Sequence, residues 1–203
     1  MVDRVAVSNL ALSIIGEDDQ LVDPLDDTKA ARTIAAVWDA VRDEVLRKHP
    51  WNFAIRRTML TAVDGYAPVN DFTHLYTLPP DCLRVLDVAI GGTLTRDYAI
   101  EAQGLLSYGP GPVGLRYVSR VENAALWDSC FVRAFACRLA WQISERITGD
   151  LNRKAAIDRD YRLALAEAKA VDGRENPPEP AMDSSWITSR ITGPSGIGEG
   201  SGW

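Results

Sequence analysis

The chain has 203 residues, 46% of them hydrophobic and 25% charged, and 22 Lys and Arg against 28 Asp and Glu give a formal charge of −6. That length can bury a real core, and the near-average composition excludes fibrous, low-complexity and wholly disordered classes. The acidic balance argues against a protein that grips nucleic acid over its whole surface, because such binding rests on Lys and Arg neutralising phosphates. Three cysteines are too few for a disulfide scaffold and suit a reducing compartment. With no apolar run of spanning length and a start, Met1-Val2-Asp3-Arg4, unlike a signal peptide, the expectation is a soluble protein made in the cytoplasm, with no membrane partner.

In chain order, Asp3 is placed to cap a short helix that runs to Ile15, and Gly16 supplies its C-terminal stop. An acidic connector, Glu17 to Asp27, is interrupted by Pro24. Asp26 or Asp27 then caps a second helix. Its apolar positions Ala30, Ile34, Val37, Trp38, Val41 and Val45 make one stripe, opposed by Arg32, Asp39, Arg42 and Asp43. Pro50 ends it.

From Trp51 to Arg120 the period changes. Phe53 and Ile55 alternate with smaller or charged neighbours, as do Val113, Leu115 and Tyr117, the pattern of half-buried strands. Leu83 to Ile90 is rich in leucine and β-branched residues, and Gly91-Gly92 after it marks a hairpin that needs positive φ. Pro79-Pro80 and Gly109-Pro110-Gly111-Pro112 punctuate turns. Four to six short antiparallel strands are expected, small enough to be an insertion.

Helical spacing returns with Trp127, Cys130, Ala134, Cys137 and Trp141. The start has two readings, a capping box at Ser119-Arg120-Val121-Glu122 or an N-cap at Asp128. Gly149 and Asp150 separate this helix from the next, whose stripe is Ile157, Tyr161, Ala164, Leu165, Ala168 and Val171, and the short break implies an antiparallel pair. Residues 173–203 hold six glycines and four prolines, about one third of the segment, a disorder-prone composition. Trp186, Ile187, Ile191 and Trp203 suit ordering on a partner. The expected fold class is α+β, mainly helical: an antiparallel helix bundle of residues 1–50 and 121–172, a small β-rich insertion at 51–120, and an extended, flexible C-terminal tail at 173–203.

Chemistry is sought with little return. Cys130 and Cys137 share a helix face without further ligands, and buried inert thiols are the plainer reading. His49 lies at a helix end, where a cation is favoured. The acidic connector lacks the register, central glycine and closing glutamate of a calcium loop. The glycine-rich run Gly193 to Gly198 has no phosphate-loop lysine. Trp38, Trp127 and Trp141 read as core or subunit contacts, and Trp51 as a wedge between helices and strands. Arg56 and Arg57 read first as a solvated strand face, with DNA contact as the alternative. No catalytic residue, metal or cofactor is expected.

Three stretches taken together resemble a known family. They are Asn9 to Glu17 (NLALSIIGE), Val41-Arg42-Asp43 through His49-Pro50-Trp51-Asn52-Phe53-Ala54, and Tyr76 to Val85 (YTLPPDCLRV); the helix from Phe131 to Thr148 also fits. Together they are similar to the head-to-tail adaptor proteins of tailed bacteriophages, in particular the tail tubular protein A type of short-tailed phages, over roughly residues 5–172. The resemblance implies a non-enzymatic ring, usually dodecameric, located in the virion beneath the portal and assembled in the host cytoplasm. Such a ring extends the DNA channel, helps retain the genome and presents a platform to the tail nozzle. The implied partners are copies of the chain itself, the portal protein, the nozzle protein and passing double-stranded DNA without sequence recognition. On this reading Trp186, Ile187, Ile191 and Trp203 dock on the portal, and the hairpin residues Gly91, Gly92 and Leu94 meet the nozzle or a neighbouring subunit. The alternatives are a cellular helical scaffold that binds a protein partner, and a small enzyme with a site around Arg42, His49 and Tyr76.

Overall fold

The computed structural model describes residues 2–67, 72–109 and 111–175. In chain order the elements are α1 (Arg4–Ile15), α2 (Lys29–Arg47), β1 (Ile55–Leu60), β2 (His74–Thr77), β3 (Cys82–Ile90), β4 (Thr93–Thr95), β5 (Tyr98–Glu101), β6 (Gly104–Ser107), β7 (Val113–Ser119), α3 (Ser129–Thr148) and α4 (Leu151–Glu175).

The helix ends follow local chemistry. Asp3 accepts from the Ala6 amide, and Gly16 closes α1 at φ +72°, where an added Cβ would strike the Arg153 guanidinium. The second helix is capped by Thr28, one residue beyond the expected aspartates; its hydroxyl accepts from Ala31. Asp26 turns back instead, accepting from the amides of Val22 and Asp23. Asp128 settles the start of α3 by accepting from Cys130 and Phe131, which leaves Ser119 as the last residue of β7.

α3 is the hub of the helical part. Its alanines 134, 136 and 140 are buried together with Phe131, Phe135, Leu139 and Ile143, and small side chains let α1, α2 and α4 approach it from different sides. An aromatic cluster fills the centre. Phe135 meets Trp38 and Trp127 edge-on, each at 4.9 Å, and Phe131 meets Trp51 at 5.0 Å. The indole N–H groups of Trp51 and Trp127 donate to the carbonyls of Val45 and Val121, so these large rings are buried without orphaned donors.

The expected helix bundle with a small insertion is corrected. The structure is 49% helical and 22% strand, with four helices and two antiparallel sheets among the described residues, an α+β fold. Among the described residues seven strands form instead of four to six, and they are not an appendage. One sheet has the order β1-β7-β3-β4 and the other β2-β6-β5. Leu60, Val88, Val113, Leu115 and Tyr117 of the first sheet and Tyr76 and Leu105 of the second close a separate core between the sheets. Leu83 and Val118, also on the first sheet, belong to the helical core. Two arginines fasten the layers: Arg47 donates to the Leu83 carbonyl and Arg84 to the Arg47 carbonyl at 2.9 Å. A bundle leaves no role for such a shared sheet.

Candidate functional site

The four-stranded sheet carries one open face. In β1, Arg57 and Met59 point to it, whereas Arg56 points to the other side, where it pairs with Asp81 at 3.2 Å. Register then builds two rows across the sheet. Met59 lies opposite Gly114, Gly114 opposite Ala89, and Ala89 opposite Leu94. The adjoining row is Arg57, Arg116 and Asp87, in which Arg116 donates to Asp87 at 2.7 Å. The first row is a trough: Gly114 and Ala89 form a low floor, and Met59 and Leu94, 62% and 60% exposed, form its walls. The depression measures about 520 Å³. Arg57 has no ion-pair partner among the described residues and stands at its rim.

The sequence therefore places Leu94 and Arg57 on the same surface, while Arg56 is held elsewhere by Asp81. Gly91 and Gly92 form the tight turn that presents Leu94; both have positive φ, 57° and 84°, as a two-residue hairpin between twisted strands requires. Met59 was not singled out from the sequence, although it continues the Arg57 alternation by one step. Trp186, Ile187, Ile191 and Trp203 lie outside the described residues.

A second exposed apolar feature sits in the connector before α2. Leu21 is buried, and Asn9 clasps its backbone, donating to its carbonyl at 2.9 Å and accepting from its amide at 2.8 Å. Beyond this anchor the chain turns at Asp23-Pro24-Leu25-Asp26. The Asp26 amide donates to the Asp23 carbonyl, and the Leu25 amide donates to the Asp23 carboxylate at 2.7 Å. Two backbone donors, Asp23 and Val22, hold the Asp26 carboxyl below its ordinary range. The turn thrusts Val22 and Leu25 into solvent, 88% and 90% exposed, amid Asp18, Asp19, Asp23 and Asp27.

The other candidates are structural. Arg42, placed by its spacing opposite the apolar stripe of α2, is buried, and its guanidinium bonds Asp39 at 2.8 Å and Asp43 at 2.9 Å, with Arg120 also on Asp43. His49 bonds the buried Asp172 at 3.0 Å, and Asp172 also accepts from the Asn52 amide, which pins the end of α4 to the helix–strand junction. Tyr76 donates to the carbonyls of Gly109 and Gly111 inside the β core. Arg42, His49 and Tyr76 share no partner, so they do not form the site that their sequence positions suggested. Burial raises the thiol pKa of Cys137, and burial followed by the Asp81 charge raises that of Cys82, which keeps both protonated and poorly nucleophilic at neutral pH. Among the described residues no group of three or more His, Cys, Asp or Glu is placed to hold a metal, and no helix is long and apolar enough to cross a membrane. No family model matches this chain, and no curated protein matches it.

Proposed function

We propose that this chain is the subunit of a phage head-to-tail connector, a ring, dodecameric by the family resemblance, that sits beneath the portal, extends the DNA channel, helps retain the genome and carries the tail nozzle. The observation that carries the reading is a pair of exposed apolar features of different shape, the projecting Val22–Leu25 turn and the Met59–Leu94 trough. A lone soluble protein gains nothing from such a pair, whereas a ring subunit needs two different faces, because a heterologous contact joins one patch to another on the next copy.

The stretches that carry the resemblance also tie this fold together. Asn9 clasps the connector after α1, His49 and Asn52 hold α4, and Asp81 binds Arg56, Tyr117 and the Arg120 amide. The net negative charge suits a conduit, since fixed phosphate contacts would resist the sliding of DNA. On this proposal Trp186, Ile187, Ile191 and Trp203 dock on the portal, and the virion is the site of action. The test is to add the full chain to DNA-filled capsids bearing their portal but no tail. Co-sedimentation with the capsids and slower genome leakage are expected; capsids that neither bind the chain nor hold DNA longer would overturn the proposal.

A further inference from the structure

We propose that the turn carrying Val22 and Leu25 in one copy seats in the Met59–Leu94 trough of the next, making a head-to-tail contact between identical chains. The inference deepens the connector reading and rests on it for the biological setting, but its own grounds are geometric. The knob is preorganised: Leu21 is locked in the core by Asn9, and the two aspartates of the turn are bonded to its own backbone. Little ordering entropy remains to be lost when it binds.

The socket has matching size and chemistry. Met59 and Leu94 stand three strand spacings apart, about 14 Å, over a floor of Gly114 and Ala89, which leaves room for the two aliphatic side chains of the knob. Around the knob stand Asp18, Asp19 and Asp23, with Asp27 paired to Arg32 and Lys29 following on α2, and at the rim of the socket stand Arg57 and the Arg116–Asp87 pair. Apolar tip on apolar floor and acidic collar against basic rim are both satisfied by one docking.

The knob and the trough stand on separate elements, with α2 between them in the chain. The knob lies at the N-terminal end of α2, and the sheet begins past its C-terminal end, where Arg47 and Arg84 cross. The 19 residues of α2 span about 28 Å between the knob and the helix–strand junction. The complement each lacks is available on a second copy, and the relation is heterologous, so repetition gives a closed ring or an open filament.

The test mixes two full-length variants, one Leu25→Cys and one Leu94→Cys, under mild oxidation, and identifies cross-linked peptides by mass. A disulfide joining positions 25 and 94 in trans is expected, in roughly tenfold excess over a control pairing of Leu25→Cys with Leu163→Cys, whose site is exposed on α4 away from the trough. Arg57→Glu should lower that yield by roughly fivefold, and Asp18→Lys with Asp19→Lys on the partner copy should restore it. Gly114→Val, which meets only ordinary contacts at its Cβ, should block the trough while the chain stays folded. Cross-linking no better than the control, or indifference to Gly114→Val, would overturn the contact. Portal binding is scored separately: a chain that joins the portal without the 25–94 bond sinks this inference alone, and a 25–94 bond in a chain that ignores the portal sinks the connector reading alone.

Discussion

The aromatic centre of the helical part and the open face of the four-stranded sheet are built from similar residue types with opposite outcomes. Around α3, Trp38, Trp51, Trp127, Phe131 and Phe135 are buried, and the indole N–H groups of Trp51 and Trp127 find carbonyls. On the sheet, Met59 and Leu94 are aligned in register across four strands, yet nothing among the described residues covers them. The first arrangement holds the fold together. The second leaves favourable burial unrealised, at about 25 cal/mol per Å² of apolar surface, which the proposed contact between copies would recover.

If this contrast is right, substitutions on the two sides should separate stability from assembly. The largest effect is expected for Phe135→Ala, which empties the contact with Trp38 and Trp127 and should lower unfolding free energy by about 3–5 kcal/mol, read by denaturant titration. Asp172→Ala comes next. It strands the Asn52 amide and the His49 ring at the end of α4, and a loss of about 2–3 kcal/mol is expected. In the opposite direction, replacing Ala102 and Gln103 by Asn-Gly should stabilise the protein by about 1 kcal/mol, because both residues hold positive φ, 46° and 63°, without being glycine. Met59→Ser with Leu94→Ser should shift unfolding by less than about 0.5 kcal/mol each while sharply reducing self-association in sedimentation. If those two unfold the protein as Phe135→Ala does, the trough is core and the contrast fails.

The smallest effect is one of pH. The folded Asp26 carboxyl lies below its ordinary value because it accepts from Asp23 and Val22. A depressed carboxyl stabilises the turn above the ordinary carboxylate range and loses that contribution as pH falls through its folded value. Protection of the Val22 and Asp23 amides, taken relative to their intrinsic exchange rate at each pH, should fall in that acidic window, and Asp26→Asn should abolish that change.

Much of the helical part was legible from spacing and caps: Asp3, Gly16, Asp128 and Gly149 stand where local hydrogen bonding demands them. The bundle expectation failed because strand pairing is non-local. The hairpin of β5 and β6 turns through Ala102 and Gln103, which carry no glycine signal, so two strands of four residues each left no mark in the sequence. Arg42 misled for a related reason. Its position on the polar side of α2 says nothing of Arg120 and the connector after β7, which arrive to cover it. Leu94 was reached through its glycine turn, but the trough needs Met59, Gly114 and Ala89 from three other strands, and only register brings these together.

The central claim is tested most directly by electron microscopy of purified portal with and without the full-length chain. The connector account predicts a continuous ring of added density, coaxial with the portal channel, with neighbouring subunits in contact. A portal left bare at saturating concentrations of the chain, or one decorated by isolated subunits off the channel axis, would contradict it.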